Sequence, residues 1–111
     1  MNHQAVYNTH PIVKRIQDTE GGVVAYDAEG NTVTLDADAV ASETIVVVNA
    51  QNMARLRAQR NELLAATDWE IVKHKELGTN IPTALKTYRQ QLRDLPANTS
   101  DPANPSWPIK P

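Results

Sequence analysis

A run of thirty residues, 38–67, contains neither glycine nor proline, and this run constrains the fold more than any other feature of the chain. Since nothing in it breaks a helix and it is rich in good helix formers, we predict a helix over Asn49–Ala66. Residues 44–48 fit either a fourth strand or the first turns of one long helix over 38–66, and the long helix is favoured because no breaker separates the segments. The apolar residues at helical spacing are Met53, Leu56 and Leu63.

The N-terminal part, residues 1–37, has the pattern of a small antiparallel β-module. Segments rich in β-branched residues are separated by DTEGG and DAEGN, which carry tight-turn residues. In the second of these, Asp27 opens a type I turn and Gly30 takes left-handed backbone angles. The sequence of the first turn fits two alternatives, which are the same form and a two-residue link at Gly21 and Gly22. The pairs predicted for the second hairpin are Tyr26–Thr32, Ala25–Val33, Val24–Thr34 and Val23–Leu35.

A second helix is predicted over residues 80–95, where five apolar residues recur at spacings of four, three, four and three. Asn80 can cap its start, Pro82 is tolerated in its first turn, and Pro96 fits just beyond its end. The five apolar residues are Ile81, Leu85, Tyr88, Leu92 and Leu95. A second, basic stripe beside them consists of Lys86, Arg89 and Arg93.

The fold class predicted from these patterns is α+β. A small N-terminal β-hairpin or meander precedes an α-helical hairpin with its turn at Thr67–Trp69, and an extended proline-rich tail follows within 67–111. The chain has 111 residues, no Phe, two Trp and three Tyr, so the hydrophobic core is modest. We therefore expect one small domain or two sub-modules that gain stability from a homo-oligomer or a partner.

The charge is unevenly divided along the chain. Residues 1–50 carry two basic and seven acidic side chains, a net charge of −5, whereas residues 51–111 carry nine basic and six acidic ones, a net charge of +3. This gradient favours either a head-to-tail contact or an acidic partner for the C-terminal half. The alternative is that the acidic and the basic part of the chain each have an ordinary charged surface that faces water and binds nothing.

The sequence lacks the arrangements that carry most enzyme chemistry. The histidines are scattered, there is no cysteine, and neither an EF-hand loop, a G-x-S-x-G motif nor a glycine-rich phosphate loop is present. We predict a non-enzymatic protein with no catalytic residue, metal or cofactor. Arg55, Arg57 and Arg60 have no aromatic stacking platform beside them, so we do not expect nucleic acid as a partner. No segment reaches the roughly 20 apolar residues of a membrane span, and no signal peptide is expected.

Three ordered blocks, RAQRNELLAATDW, TYRQQLRDLP and SWPIKP, resemble the C-terminal module of phage tail assembly chaperones, also known as tail fibre assembly proteins. The resemblance covers about half of the chain. The opening MNHQAVYNTHPIV, with the D-x-x-G-N hairpin and TLDADAV, looks like small structural proteins of cyanobacterial phages. The positions that match the chaperone blocks and could bind a partner are Arg60, Thr67, Asp68, Trp69, Tyr88, Arg89, Arg93, Asp94, Trp107 and Pro108; Leu63, Leu64, Leu92 and Pro96 match as well.

A physical role can be given to each block. Thr67 and Asp68 can cap the segment after the first helix, with Trp69 folding back between the helices as the main aromatic of the core. Arg89 and Arg93 can pair with acids such as Asp68 or Glu62, either as buried bidentate pairs or as exposed pairs. The proline-rich tail loses little entropy on docking, so Trp107 is expected to lie in a groove of this hairpin or of a fibre subunit.

The resemblance implies a chaperone that binds a phage tail fibre or another tail or baseplate protein in the host cytoplasm during assembly. Retention of the chaperone in the virion tail is compatible with this role. The alternative is a permanent structural component of the virion, such as a fibre or baseplate adaptor.

Overall fold

The structure is a computed structural model that describes residues 1–111. It divides into two compact units, Met1–Ala50 and Gln51–Pro111, with the division inside the longest helix. The α+β class predicted from the sequence is confirmed, since a three-stranded antiparallel sheet is followed by helices. The elements in chain order are α1 (His3–Thr9), β1 (Arg15–Thr19), β2 (Gly22–Tyr26), β3 (Thr32–Val33), α2 (Ala37–Leu77) and α3 (Thr83–Asn98).

The N-terminal helix α1 was not predicted. Asn2 caps it, since its side-chain oxygen accepts a 3.0 Å hydrogen bond from the backbone N–H of Ala5. Ala5 and Val6 are both 0% exposed and belong to the core of the N-terminal unit. Because α1 has only seven residues, its stability depends on this packing more than on helix propensity.

The sheet has the order β1-β2-β3, and the predicted register of its second hairpin is confirmed for two pairs, Ala25–Val33 and Tyr26–Thr32. The ladder ends at Val33, so the other two predicted pairs do not form. The turn has the predicted chemistry. The backbone carbonyl of Asp27 accepts from the N–H of Gly30 at 3.2 Å, and Gly30 has a φ of 84°, in the left-handed region.

The first hairpin differs from both predicted turns. Thr19 pairs with Gly22, which leaves Glu20 and Gly21 as the two-residue link. Gly22 takes the positive φ of 125° as the first residue of β2, whereas the predicted two-residue form placed Gly22 inside the link. A glycine at either position permits a tight link, so the local sequence left the register undetermined.

The core of the N-terminal unit is built from small aliphatic side chains of α1, β2, α2 and the segment before β1. Ile16, Val33 and Leu35 pack against it and are partly buried. This core contains no aromatic ring, which agrees with the modest core expected from the composition. The buried residues of this cluster are Ala5, Val6, Val13, Ala25, Val40 and Val47.

The long helix α2 is continuous from Ala37 to Leu77. Asp36 caps its start, accepting 3.1 Å hydrogen bonds from the N–H groups of Asp38 and Ala39. Residues 44–48 are helical, so the alternative of a fourth strand is wrong. The predicted turn at Thr67–Trp69 is also wrong, because these residues lie inside the helix.

The helix α2 ends at the first glycine after Gly30. Gly78 has a φ of 65°, its N–H donates to the carbonyl of Lys75 at 3.3 Å, and the N–H of Thr79 donates to the carbonyl of His74 at 3.0 Å. This pair of bonds is the Schellman ending of a helix. The helical hairpin therefore closes between Gly78 and Pro82, about ten residues later than predicted.

The second helix of the hairpin, α3, buries the predicted stripe and differs from the prediction at both ends. It begins at Thr83, with Pro82 in the capping position, so Asn80 does not act as the cap. Pro96 lies inside the helix, which ends at Asn98. A proline near the end removes one backbone donor while its φ remains helical. The buried residues of α3 are Leu85, Tyr88, Leu92 and Leu95.

No helix in the structure combines the length and the apolar character that crossing a bilayer requires.

Candidate partner-binding surface

The guanidinium group of Arg89 joins the two helices of the C-terminal unit. Its Nη1 donates to the backbone carbonyl oxygen of Leu64 at 2.8 Å and to Oγ1 of Thr67 at 2.6 Å. Its Nη2 lies 2.8 Å from Oδ1 of Asp68. The side chain of Arg89 is 16% exposed and that of Asp68 is 60% exposed, so the ion pair stands at the rim of the contact. A planar fork with several donors suits such a site, whereas a lysine offers only a point charge.

Thr67 is the buried polar residue at the centre of this contact, with 1% of its surface exposed. Its hydroxyl donates to the carbonyl oxygen of Leu64 at 3.1 Å and accepts from Arg89. The predicted capping role for Thr67 and Asp68 is wrong, because no helix begins there. Their side chains instead bind the arginine of the facing helix.

Arg93 and Asp94 do not take part in this contact. Arg93 is exposed, and its Nη2 donates to Oε1 of Gln90 at 2.8 Å. Oδ1 of Asp94 accepts from Nε2 of Gln90 at 2.9 Å. The predicted pairing of Arg93 with Glu62 or Asp68 therefore does not form, and the arginine cation has no acidic partner within 4 Å.

Trp69 lies on the surface, with 59% of its area exposed, so the prediction that it fills the hairpin core is wrong. The reason is helical phase. Since Thr67 faces α3, a residue two positions further along the same helix points to the other side. Leu63, Leu64 and Ile71 share the phase of Thr67 and pack on the α3 cluster.

The solvent side of α2 around this ring is here named the Trp69 face and consists of Ala65, Trp69, Val72 and Lys73. All four are exposed and are spaced by three or four residues, which places them side by side. Nζ of Lys73 lies 6.0 Å from the centroid of the indole ring, at the outer limit of a cation–π contact. The face therefore offers an apolar surface with one cation at its edge.

The C-terminal tail returns to the hairpin. Trp107 is partly buried and packs against the cluster formed by Leu85, Tyr88 and Leu92. Pro108 is also partly buried and lines a polar groove of about 380 Å³ between the end of α3 and the tail, together with Asp94 and Ser106. Of the two docking sites predicted for Trp107, the structure has the one on its own hairpin.

A second groove runs along the other side of the hairpin and has a basic wall. It has a volume of about 580 Å³ and is lined by six residues. We name it the basic groove, and its lining residues are Ile71, Lys86, Thr87, Arg89, Gln90 and Arg93. Lys86 and Arg93 are exposed and have no acidic partner within 4 Å, whereas Arg89 is bound to Asp68.

Arg60, the remaining matched position, donates only to Oδ1 of its neighbour Asn61, at 3.1 and 3.2 Å. The structure thus brings Thr67, Asp68 and Arg89 into one contact and places Tyr88 and Trp107 in one cluster, while Arg60 lies apart from both.

No group of three or more His, Cys, Asp or Glu side chains is close enough to hold a metal ion. The surface is suited to binding by apolar contact and charge.

Two features of this surface were missed from the sequence. The carbonyl oxygen of Leu64 is a backbone group, which carries no sequence signal. The exposed Trp69 face did have one, because Leu63, Thr67 and Ile71 recur every four residues and Trp69 is out of phase with them. A continuous helix to Leu77 was likewise indicated, since no glycine or proline occurs between Gly30 and Gly78.

The C-terminal unit is a helical hairpin with an exposed aromatic face and a docked tail. Residues 53–111, just over half of the chain, match the family described as phage tail assembly chaperone protein, and the chain belongs to this family. Comparisons with curated proteins and with solved structures gave no match. The family implies an action on phage tail proteins, and it is a chaperone family, not an enzyme class. The resemblance to cyanobacterial phage proteins concerns residues outside this match and stays a prediction.

Proposed function

We propose that this protein is an assembly chaperone that binds a segment of a phage tail fibre or another tail protein on its Trp69 face. The observation that carries the proposal is the exposure of Trp69, which is 59%, on a helix whose opposite side is fixed by Arg89. A large ring held on a rigid helix loses little entropy when it is covered by a partner. The family match includes both residues.

A chaperone of this kind has a physical reason to exist. Fibre chains are long and rich in non-local strand contacts, so they expose apolar residues and strand edges while they fold slowly. The Trp69 face can cover one such segment until the fibre chain forms its own contacts. We place this action in the host cytoplasm during tail assembly.

The alternative is a permanent structural component of the virion, a fibre or baseplate adaptor whose ends are held by neighbours. Two observations favour the chaperone. The N-terminal helix α1 buries Ala5 and Val6 in its own unit, and Trp107 of the tail packs on its own hairpin, so both terminal segments have contacts within the chain itself. Mass spectrometry of purified particles separates the two, because a structural component is stoichiometric there and a released chaperone is absent.

Co-expression with each fibre and tail protein of the same phage tests the proposal. The expected result is that one of them becomes soluble only with this chain and is recovered bound to it. Trp69→Ala should abolish this rescue, and Ile109→Ala is the matched control because Ile109 is a 91% exposed apolar residue of the same unit. If every fibre and tail protein is equally soluble without the chain, the proposal is wrong.

Sedimentation of the purified chain tests the expected homo-oligomer. A dimer that dissociates when the fibre or tail protein binds would mean that self-association covers the same face.

A further inference from the structure

The basic groove is a second surface of the C-terminal unit, separate from the Trp69 face. One wall comes from α3, which contributes Lys86, Arg89 and Arg93, and the other includes Ile71 of α2. The groove is open to solvent and has a volume of about 580 Å³, which is enough for several side chains of a bound segment.

Two cations of this groove have no acidic partner, although Arg93 also donates a hydrogen bond to Gln90 at 2.8 Å. No carboxylate oxygen lies within 4 Å of a side-chain nitrogen of Lys86 or Arg93, and both residues are exposed. They are separated by seven residues of one helix, which corresponds to about 10.5 Å along its axis. Arg89, between them, is already neutralised by Asp68 at 2.8 Å. The groove therefore presents two positive charges two helical turns apart, beside an apolar side chain.

We propose that the basic groove binds an acidic segment of the fibre or tail protein, with two carboxylates about 10 Å apart and an apolar side chain between them. The carboxylates pair with Lys86 and Arg93, and the apolar side chain covers Ile71. This inference rests on the proposed function, because it names the chemistry of the segment that the chaperone holds. It assigns the C-terminal unit two contact surfaces, one apolar and one electrostatic.

A protein segment fits this groove better than a nucleic acid does. The groove contains no aromatic side chain on which a base could stack. Contact with a phosphate backbone buries no apolar area on Ile71. An apolar side chain of a peptide does bury such area, and this burial favours binding. A continuous phosphate chain also needs more than two free cations to be neutralised efficiently.

The first test uses the full-length chain and a synthetic helical peptide of about 15 residues with two glutamates seven positions apart and leucines between them. Fluorescence anisotropy should show saturable binding that weakens as NaCl rises from about 0.05 to about 0.5 M. Lys86→Glu combined with Arg93→Glu should weaken binding roughly tenfold or more, since each attraction becomes a repulsion. The matched control is Arg55→Glu with Arg57→Glu, which reverses two exposed charges of the same unit outside the groove.

Four outcomes overturn the inference. One is that the peptide does not bind, and another is that its glutamine version binds equally well. A third is tighter binding of a single-stranded DNA of similar length, lost in the groove variant, which would mean a nucleic-acid site. The fourth is self-association of the chain that the groove variant abolishes, which would mean that the acidic N-terminal unit of a second copy is the occupant.

Co-expression separates this inference from the proposed function. If the wild-type chain rescues no tail protein, the proposed function itself fails. If the wild-type chain rescues one and the groove variant rescues it equally, with unchanged affinity, only the assignment of the basic groove fails. The expected result is rescue by the wild type, loss of rescue with Trp69→Ala, and at least about tenfold weaker binding with the groove variant.

Discussion

Nη1 of Arg89 on α3 lies 2.6 Å from Oγ1 of Thr67 on α2, and Thr67 is the polar residue buried between the two helices of the C-terminal unit. The same nitrogen donates to the carbonyl oxygen of Leu64. These bonds set both the position and the rotation of α2 against α3. Because Thr67 must face α3, Trp69 must face solvent, so the exposure of the Trp69 face follows from a contact on the opposite side of the helix.

Replacing Arg89 by lysine should lower the free energy of unfolding by roughly 1–3 kcal/mol, because lysine cannot form the planar set of bonds to Leu64, Thr67 and Asp68. Urea unfolding followed by circular dichroism measures it. Arg93→Lys is the matched control, since Arg93 is exposed and bonds only to Gln90 of its own helix. Equal stability of both variants would contradict the role given to Arg89.

Replacing Thr67 by valine should cost about 1–2 kcal/mol, because the shape is kept while the acceptor of Arg89 is lost. The variant that combines Thr67→Val with Arg89→Lys should lose less stability than the two single changes added together, since both break the same bond. Additive losses in this double-mutant cycle would show that the two side chains act independently.

Replacing Gly78 by alanine should lower stability by about 1 kcal/mol. The φ of Gly78 is 65°, and an added Cβ would meet no atom within 4 Å, so the cost comes from backbone strain alone. Asparagine tolerates left-handed angles, and Gly78→Asn should therefore lose less than Gly78→Ala. The order of the two melting temperatures is the measurement, and the reverse order would argue against the Schellman ending of α2.

The two tryptophans should report different environments. In the Trp107→Tyr variant, only Trp69 contributes indole fluorescence, and we expect red-shifted emission with strong acrylamide quenching because that ring is 59% exposed. In the Trp69→Tyr variant, Trp107 should emit further to the blue, because it packs on the Leu85, Tyr88 and Leu92 cluster. A blue-shifted, protected Trp69 in the free chain would contradict its exposure.

Truncating Trp107 to alanine should destabilise the C-terminal unit by roughly 1–3 kcal/mol, less than a fully buried tryptophan because the ring is only partly covered. Trp69→Ala should change stability by less than about 0.5 kcal/mol, as expected for a surface position. Thermal unfolding of both variants gives the comparison. If Trp69→Ala proves the more damaging change, the packing described for the two rings is wrong.

Several features could be predicted from the sequence because they depend on near neighbours along the chain. The turn at Asp27–Gly30, the pairing of Ala25 with Val33 and the buried stripe of α3 each follow from a short pattern with its own period. The pairing of Arg89 with Asp68 was also among the predicted contacts, because the residue types are complementary. Short-range periodicity and turn chemistry were sufficient for these elements.

The tertiary structure decided those features for which the local sequence favoured two conformations equally or favoured none. Residues 44–48 have a strand-like composition, yet they are helical. Trp69 has one of the two largest side chains of the chain, yet it is exposed, because the rotation of α2 is set by what Thr67 and Ile71 contact on α3. The sequence by itself determined the turn at Asp27–Gly30, the buried stripe of α3 and the glycine that ends α2, since those depend on turn chemistry and periodicity within a few residues. The recurrence of Leu63, Thr67 and Ile71 marks one stripe of α2, but only the contacts with α3 and Arg89 decided that this stripe is the buried one, because burial needs a partner that lies far along the chain.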